Sequence, residues 1–157
     1  MELKIKALSP KIGTDIPFPA RATEGSAGID LAACVDGPVT IAPRALVRIP
    51  TGIAVALPSP DYVALVFARS GLGIRHGISL ANGVGVIHSD YRGEIQVGLT
   101  NLSDTPYTVM PGDRIAQLVV APVARPELVW TEDLEDTRRG AGGFGSTGFG
   151  EKGGDGR

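Results

Sequence analysis

Glycine or proline interrupts this chain at nearly every junction, as in Asp36-Gly37-Pro38, Pro58-Ser59-Pro60-Asp61 and Pro111-Gly112-Asp113, and the runs between these breaks are short. Long helices cannot form in such a chain. With 22 Gly and 12 Pro among 157 residues, and with Val, Ile and Thr filling the runs, the pattern predicts many short antiparallel strands, an all-β fold. Strands are expected at 3–8, 29–35, 39–42, 46–49, 52–57, 62–67, 77–80, 95–101, 107–110 and 114–123. The first, Leu3-Lys4-Ile5-Lys6-Ala7-Leu8, alternates as an edge strand does, with its lysines outward. The one helical candidate, 70–75, contains Gly71 and Gly73 and is expected to supply about one turn at most.

A chain of 157 residues and 16.2 kDa holds one domain with a substantial core. That domain is expected at 1–136, because composition changes sharply after Asp136 to a glycine-rich tail, 137–157. Fifteen basic residues against 17 acidic ones give a net charge of −2, which supplies no field to draw in a nucleic-acid backbone. The longest apolar stretches, such as 115–124, fall short of the ~20 residues that span a bilayer, and Met1-Glu2-Leu3-Lys4-Ile5-Lys6 has no signal-peptide core. A cytoplasmic protein without membrane or nucleic-acid partners is the expectation. The single cysteine, Cys34, excludes an internal disulfide and a thiolate zinc cluster, and its apolar neighbours suggest a core filler. His76 reads as a structural residue, and Trp130 as an interface or core anchor.

Two segments carry unusual residues. Val84, Val86 and Ile87 lead into Ser89-Asp90-Tyr91-Arg92-Gly93, and Ile95-Gln96-Val97-Gly98-Leu99 leads out with period-two alternation, which reads as a binding hairpin. The tail, in turn, holds Gly143, Gly145 and Gly148 at the spacing of a dinucleotide fingerprint, but no strand–helix context surrounds them. An arginine, an aromatic ring, two hydroxyls and many glycines nevertheless suit a phosphate clamp, and the tail can act as a lid. Ser70 as a nucleophile lacks support, since only His76 and His88 are available as bases and no G-x-S-x-G elbow exists.

These segments resemble motifs of the trimeric dUTPase family. Gly85-Val86-Ile87-His88-Ser89-Asp90-Tyr91-Arg92-Gly93 is similar to the third motif, G-x-I-D-x-x-Y-x-G, with His88 where the family carries aspartate. Gly28-Ile29-Asp30-Leu31 resembles the first motif, Ala68-Arg69-Ser70-Gly71-Leu72-Gly73 the second, Gly112-Asp113-Arg114-Ile115-Ala116-Gln117-Leu118 the fourth, and Arg139 to Gly148 the fifth. The resemblance implies a β jelly-roll (β-clip) that forms a homotrimer, with active sites between subunits and a neighbour's tail closing each. It implies Mg2+-dependent hydrolysis of dUTP to dUMP and pyrophosphate, which limits dUTP incorporation into DNA and supplies dUMP for dTMP synthesis. Uracil would be read by the backbone of Val86 and Ile87 and by the Asn82 amide, with Gln96 in the binding set and Tyr91 against the deoxyribose, leaving no room for a 2′-hydroxyl. Arg69, Ser70, Gly71, Gln117, Arg139, Gly145, Ser146 and Thr147 would meet the phosphate side, and Phe144 would stack on uracil. Asp30 would touch the metal only through water.

Position 88 holds the aspartate that activates the attacking water in the family. Here three readings stand. Neutral His88 could be the base, since an ordinary imidazole is largely uncharged at pH 7; Asp90 could replace it through a changed turn; or His88 could inactivate the site and leave a dUTP-binding or regulatory trimer. Loss of the base removes about 10²- to 10⁴-fold in rate, which makes impaired hydrolysis the leading expectation. Deamination, the reaction of the related dCTP deaminases, is disfavoured by Gly98 at the position of their catalytic glutamate and by Tyr91 where they usually have phenylalanine.

Overall fold

In the computed structural model, which describes residues 1–143, short strands dominate. They are β1 (Lys4–Ala7), β2 (Ile29–Ala32), β3 (Val39–Ile41), β4 (Leu46–Pro50), β5 (Ile53–Ala56), β6 (Tyr62–Phe67), β7 (Ile78–Leu80), β8 (Gly85–Ile87), β9 (Gln96–Asn101), β10 (Tyr107–Val109) and β11 (Arg114–Pro122), with one helix, α1 (Ser70–His76). Every ladder between these strands is antiparallel. The largest sheet runs β2-β11-β6-β8, a second runs β4-β9-β7, and β1-β5 and β10-β3 are pairs. Among the described residues no helix is long and apolar enough to cross a membrane.

Alternation explains the core. Along β9 the side chains of Val97, Leu99 and Asn101 are buried, and along β6 those of Ala64 and Val66 are. Leu31, Ile41, Ile49, Ile53, Leu99 and Leu118 are at most 1% exposed and form one continuous apolar cluster. The cluster is built within Met1–Arg125, a compact unit; Pro126 onward is a separate unit, in which Trp130 is exposed. As expected of an edge strand, β1 leaves Lys4 and Lys6 exposed.

Three expectations are corrected. α1 extends over seven residues, about twice the expected length, because Gly77 ends it in the left-handed region at φ 67° and donates its N–H to the carbonyls of Gly73 and Leu72. The expected hairpin is not a paired one: β8 joins β6, whereas β9 joins β4 and β7, so the segment between them carries the chain from one sheet to another. Cys34 is half-buried, against Gly52 and beside the Lys11–Asp36 ion pair, rather than a core filler.

Candidate functional site

The large sheet assembles one half of the site by register. Asp30 on β2 lies opposite Gln117 on β11, which lies opposite Phe67 at the end of β6, and the chain continues through Ala68 to Arg69. Three motifs far apart in sequence therefore become neighbours. A bulge adds a second arginine: the pairing shifts between Arg114 and Ala116, so Arg114 faces Ala32 and shares a sheet face with Gln117 and Asp30, which strict alternation forbids. Its signature is two consecutive buried residues, Ile115 and Ala116.

Asp30 consequently sits between two guanidiniums. Its Oδ1 lies 3.0 Å from Arg69 Nε and its Oδ2 accepts a 3.0 Å bond from Arg114 Nη1. The carboxylate is sheltered (18% exposed) while the Arg69 and Arg114 side chains are 28% and 52% exposed, so the arginines are braced from behind and offer their remaining N–H groups outward. Gln117 is fixed by its own bond from Nε2 to the Ala68 carbonyl, 3.0 Å. Asp30, Gln117, Arg69, Ser70 and Gly71 line a concavity of about 580 Å³, together with Ser26 and Arg75, which the motifs did not single out. Two arginines against one carboxylate, beside the first residues of α1, make a site for an anion.

The second half is a cavity of about 480 Å³, lined by Asn82, Gly85, Val86, Ile87, Tyr91 and Gln96, with Arg48, Glu94 and Gly98 completing its wall. Its size and mixed lining suit a small heterocycle. Tyr91 donates its hydroxyl proton to the Glu94 carbonyl at 3.0 Å, which folds the ring across Gly93. Arg48 and Glu94 escaped sequence reasoning because the first reads as the outward charge of an alternating strand and the second as an ordinary turn charge; only the pairing of Arg48 with Gly98 brings it to the wall.

His88 and Asp90 fall in neither lining. Both are exposed, in a third depression with Tyr62, Val86, Ser89 and Arg125. The His88 carbonyl accepts the Tyr91 N–H at 3.2 Å, and its ring has no hydrogen-bond partner among the described residues. His76 packs on Tyr107 with ring centroids 4.9 Å apart and faces no metal ligand set. Arg139 is exposed; Phe144, Gly145, Ser146 and Thr147 lie outside the described residues. No cluster of three His, Cys, Asp or Glu side chains exists among the described residues, and both Asp30 oxygens are engaged by arginine. A magnesium ion held by a protein cage does not fit, whereas one carried by a polyphosphate and reaching Asp30 through water does.

Comparison with known proteins converges on one family. The dUTPase family model matches residues 14–148. The deoxyuridine 5'-triphosphate nucleotidohydrolase of Idiomarina loihiensis is 49% identical over 147 residues, covering 94% of this chain and 97% of that protein. The one from Hahella chejuensis is 49% identical over 146 residues, covering 93% and 96%. Among solved structures, a mutant dUTPase of Staphylococcus bacteriophage 80alpha with dUpNHpp superposes with a TM-score of 0.81 at 27% identity, covering 94% of this chain and 98% of that one.

Proposed function

This chain belongs to the dUTPase family, and we propose that it hydrolyses dUTP between the α and β phosphates, releasing dUMP and pyrophosphate, at sites completed between three copies of the chain. The observation that carries this reading is the division of the site: within one protomer the heterocycle cavity and the anion concavity share no lining residue. A triphosphate nucleotide needs both halves, and symmetric association of the chain supplies them.

In the first half, the Val86 and Ile87 backbone and the Asn82 amide offer uracil a fixed donor and acceptor pattern. Cytosine, with an amine where uracil has a carbonyl, meets a donor with a donor and is penalised by the unpaired groups. Tyr91 closes over the sugar and excludes a 2′-hydroxyl. In the second half, Arg69, Ser70, Gly71 and Gln117 hold the phosphate chain, with Asp30 orienting Arg69 and Arg114. Asp30 would meet a Mg2+ ion carried by the triphosphate only through water, and that ion, when bound, would supply charge neutralisation and in-line orientation. The tail, with Arg139, Phe144, Gly145, Ser146 and Thr147, covers the bound nucleotide as a lid. By this chemistry the protein limits dUTP available to DNA synthesis and supplies dUMP.

Turnover in this chain is impaired at the proton-transfer step. A general-base imidazole works best when a third group fixes its ring, and the His88 ring has no such partner among the described residues. The direct test is pyrophosphate release from dUTP with Mg2+ between pH 6 and 9, comparing the protein with His88→Asp and using dCTP as control. His88→Asp is expected to be at least about 10²-fold faster. Equal rates, with a break near the ordinary imidazole range in this protein alone, would make His88 a competent base; no turnover in either would favour the alternative, a dUTP-binding trimer without activity.

A further inference from the structure

The half-buried Glu94 makes three connections at once, and none belongs to the motif roles assigned above. Its Oε1 accepts the backbone N–H of Gly52 at 2.8 Å, its Oε2 accepts the Gln96 side-chain amide at 3.0 Å, and its carbonyl accepts the Tyr91 hydroxyl at 3.0 Å. The next residue is sewn to the same place: the Ile95 N–H donates to the Ile53 carbonyl at 2.9 Å, and the Ile95 carbonyl accepts the Thr51 hydroxyl at 2.6 Å. The turn between β4 and β5 is thus the fixed post to which the segment between β8 and β9 is tied.

That tie is needed because β8 and β9 do not pair. A paired hairpin would hold its turn by ladder hydrogen bonds; here the strands diverge into different sheets, and the turn must be held from outside. Glu94 is the side chain that does so at the cavity wall, and a carboxylate accepting two N–H groups makes stronger bonds than a neutral acceptor. We propose that Glu94 is a positioning residue: it anchors the Tyr91 turn to Gly52, fixing the distance between the Tyr91 ring and the sugar position, and so sets discrimination between deoxyribo- and ribonucleotides. This rests on the reading of the cavity as the uracil and deoxyribose half-site.

The consequences separate from those of a merely structural residue. Without its carboxylate, Tyr91 keeps its bond to the Glu94 carbonyl and Ile95 keeps its bonds to Ile53 and Thr51, but the turn loses its side-chain tether to Gly52 at the cavity wall, so the ring can retreat and admit a 2′-hydroxyl. Equilibrium binding of dUpNHpp and its ribo counterpart UpNHpp to the full-length protein, with thermal unfolding alongside, tests this. Glu94→Ala is expected to weaken dUpNHpp about tenfold while weakening UpNHpp less, so that the preference for the deoxy compound narrows. Glu94→Gln, which retains an acceptor for Gly52, is expected to recover most of that preference. An unchanged preference in a folded Glu94→Ala overturns the proposal, as does equal weakening of both compounds or failure of Glu94→Gln to restore it. Should Glu94→Ala not fold, Glu94→Asp, whose carboxylate is drawn back from Gly52 by one methylene, takes its place: a narrowed preference is expected, and an unchanged preference overturns the proposal. If the unmodified protein itself does not bind dUpNHpp, the nucleotide reading fails first, and that outcome is visible before any variant is made.

Discussion

Asp30 and Asn101 illustrate how differently a sheltered polar side chain can serve this molecule. Asp30 is half-enclosed and faces two arginines that remain partly in water, so its value lies in aiming them. Asn101 is fully buried and serves only the fold. Its amide donates to the carbonyls of Ile41 and Thr105 at 3.0 and 2.8 Å, and its oxygen accepts the Ser103 N–H and hydroxyl at 2.9 and 2.7 Å. All four hydrogen-bonding positions of the amide are used. Asn101→Leu has nearly the right volume but leaves these partners unpaired, and urea unfolding at fixed protein concentration should register a loss of about 3 kcal/mol. A loss under about 1 kcal/mol would mean water replaces the amide.

At the scale of elements, α1 is a weak helix in a demanding place. It has no side-chain N-cap bond and two glycines in seven residues, yet its first residues line the anion concavity. Its stop is better defined than its start: a Cβ at Gly77 would take a strained φ of +67° and stand 3.0 Å from Ser103 Cβ and N. The interior Gly73 has only the Ile78 carbonyl, 3.7 Å away, near its missing Cβ. Opposite effects follow. Gly73→Ala should stabilise by about 0.5 to 1 kcal/mol through helix propensity, and Gly77→Ala should destabilise by about 1 to 2 kcal/mol or more. Thermal unfolding of the two single variants in parallel checks the pair, and movement in the same direction would contradict this account of the helix.

For the whole molecule, the division of the site makes a quantitative prediction. Asn82→Ala damages the heterocycle half and Arg69→Ala the anion half, and neither alone should bind dUpNHpp well. If each site of the proposed trimer takes one half from each of two subunits, equal random mixing restores one site in four, so co-expressed variants should show about a quarter of the normal binding sites. No restoration would mean that each subunit carries a whole site by itself.

Much of this was legible in the residues themselves. Glycine and proline spacing, with β-branched runs between, determined an all-β chain of short strands, and the motif residues determined the family. These are local properties, because turn conformation and side-chain alternation depend on a few neighbouring residues. Which strand lies beside which was decided only by the tertiary structure: the divergence of β8 and β9, the bulge that turns Arg114 toward Asp30, the arrival of Arg48 and Glu94 at the cavity wall, and the placement of the His88 side chain outside both half-site linings. Alternation tells which side of its own strand a residue faces. The partner across the ladder is chosen by packing of the whole apolar cluster, a sum over contacts between residues distant in the chain.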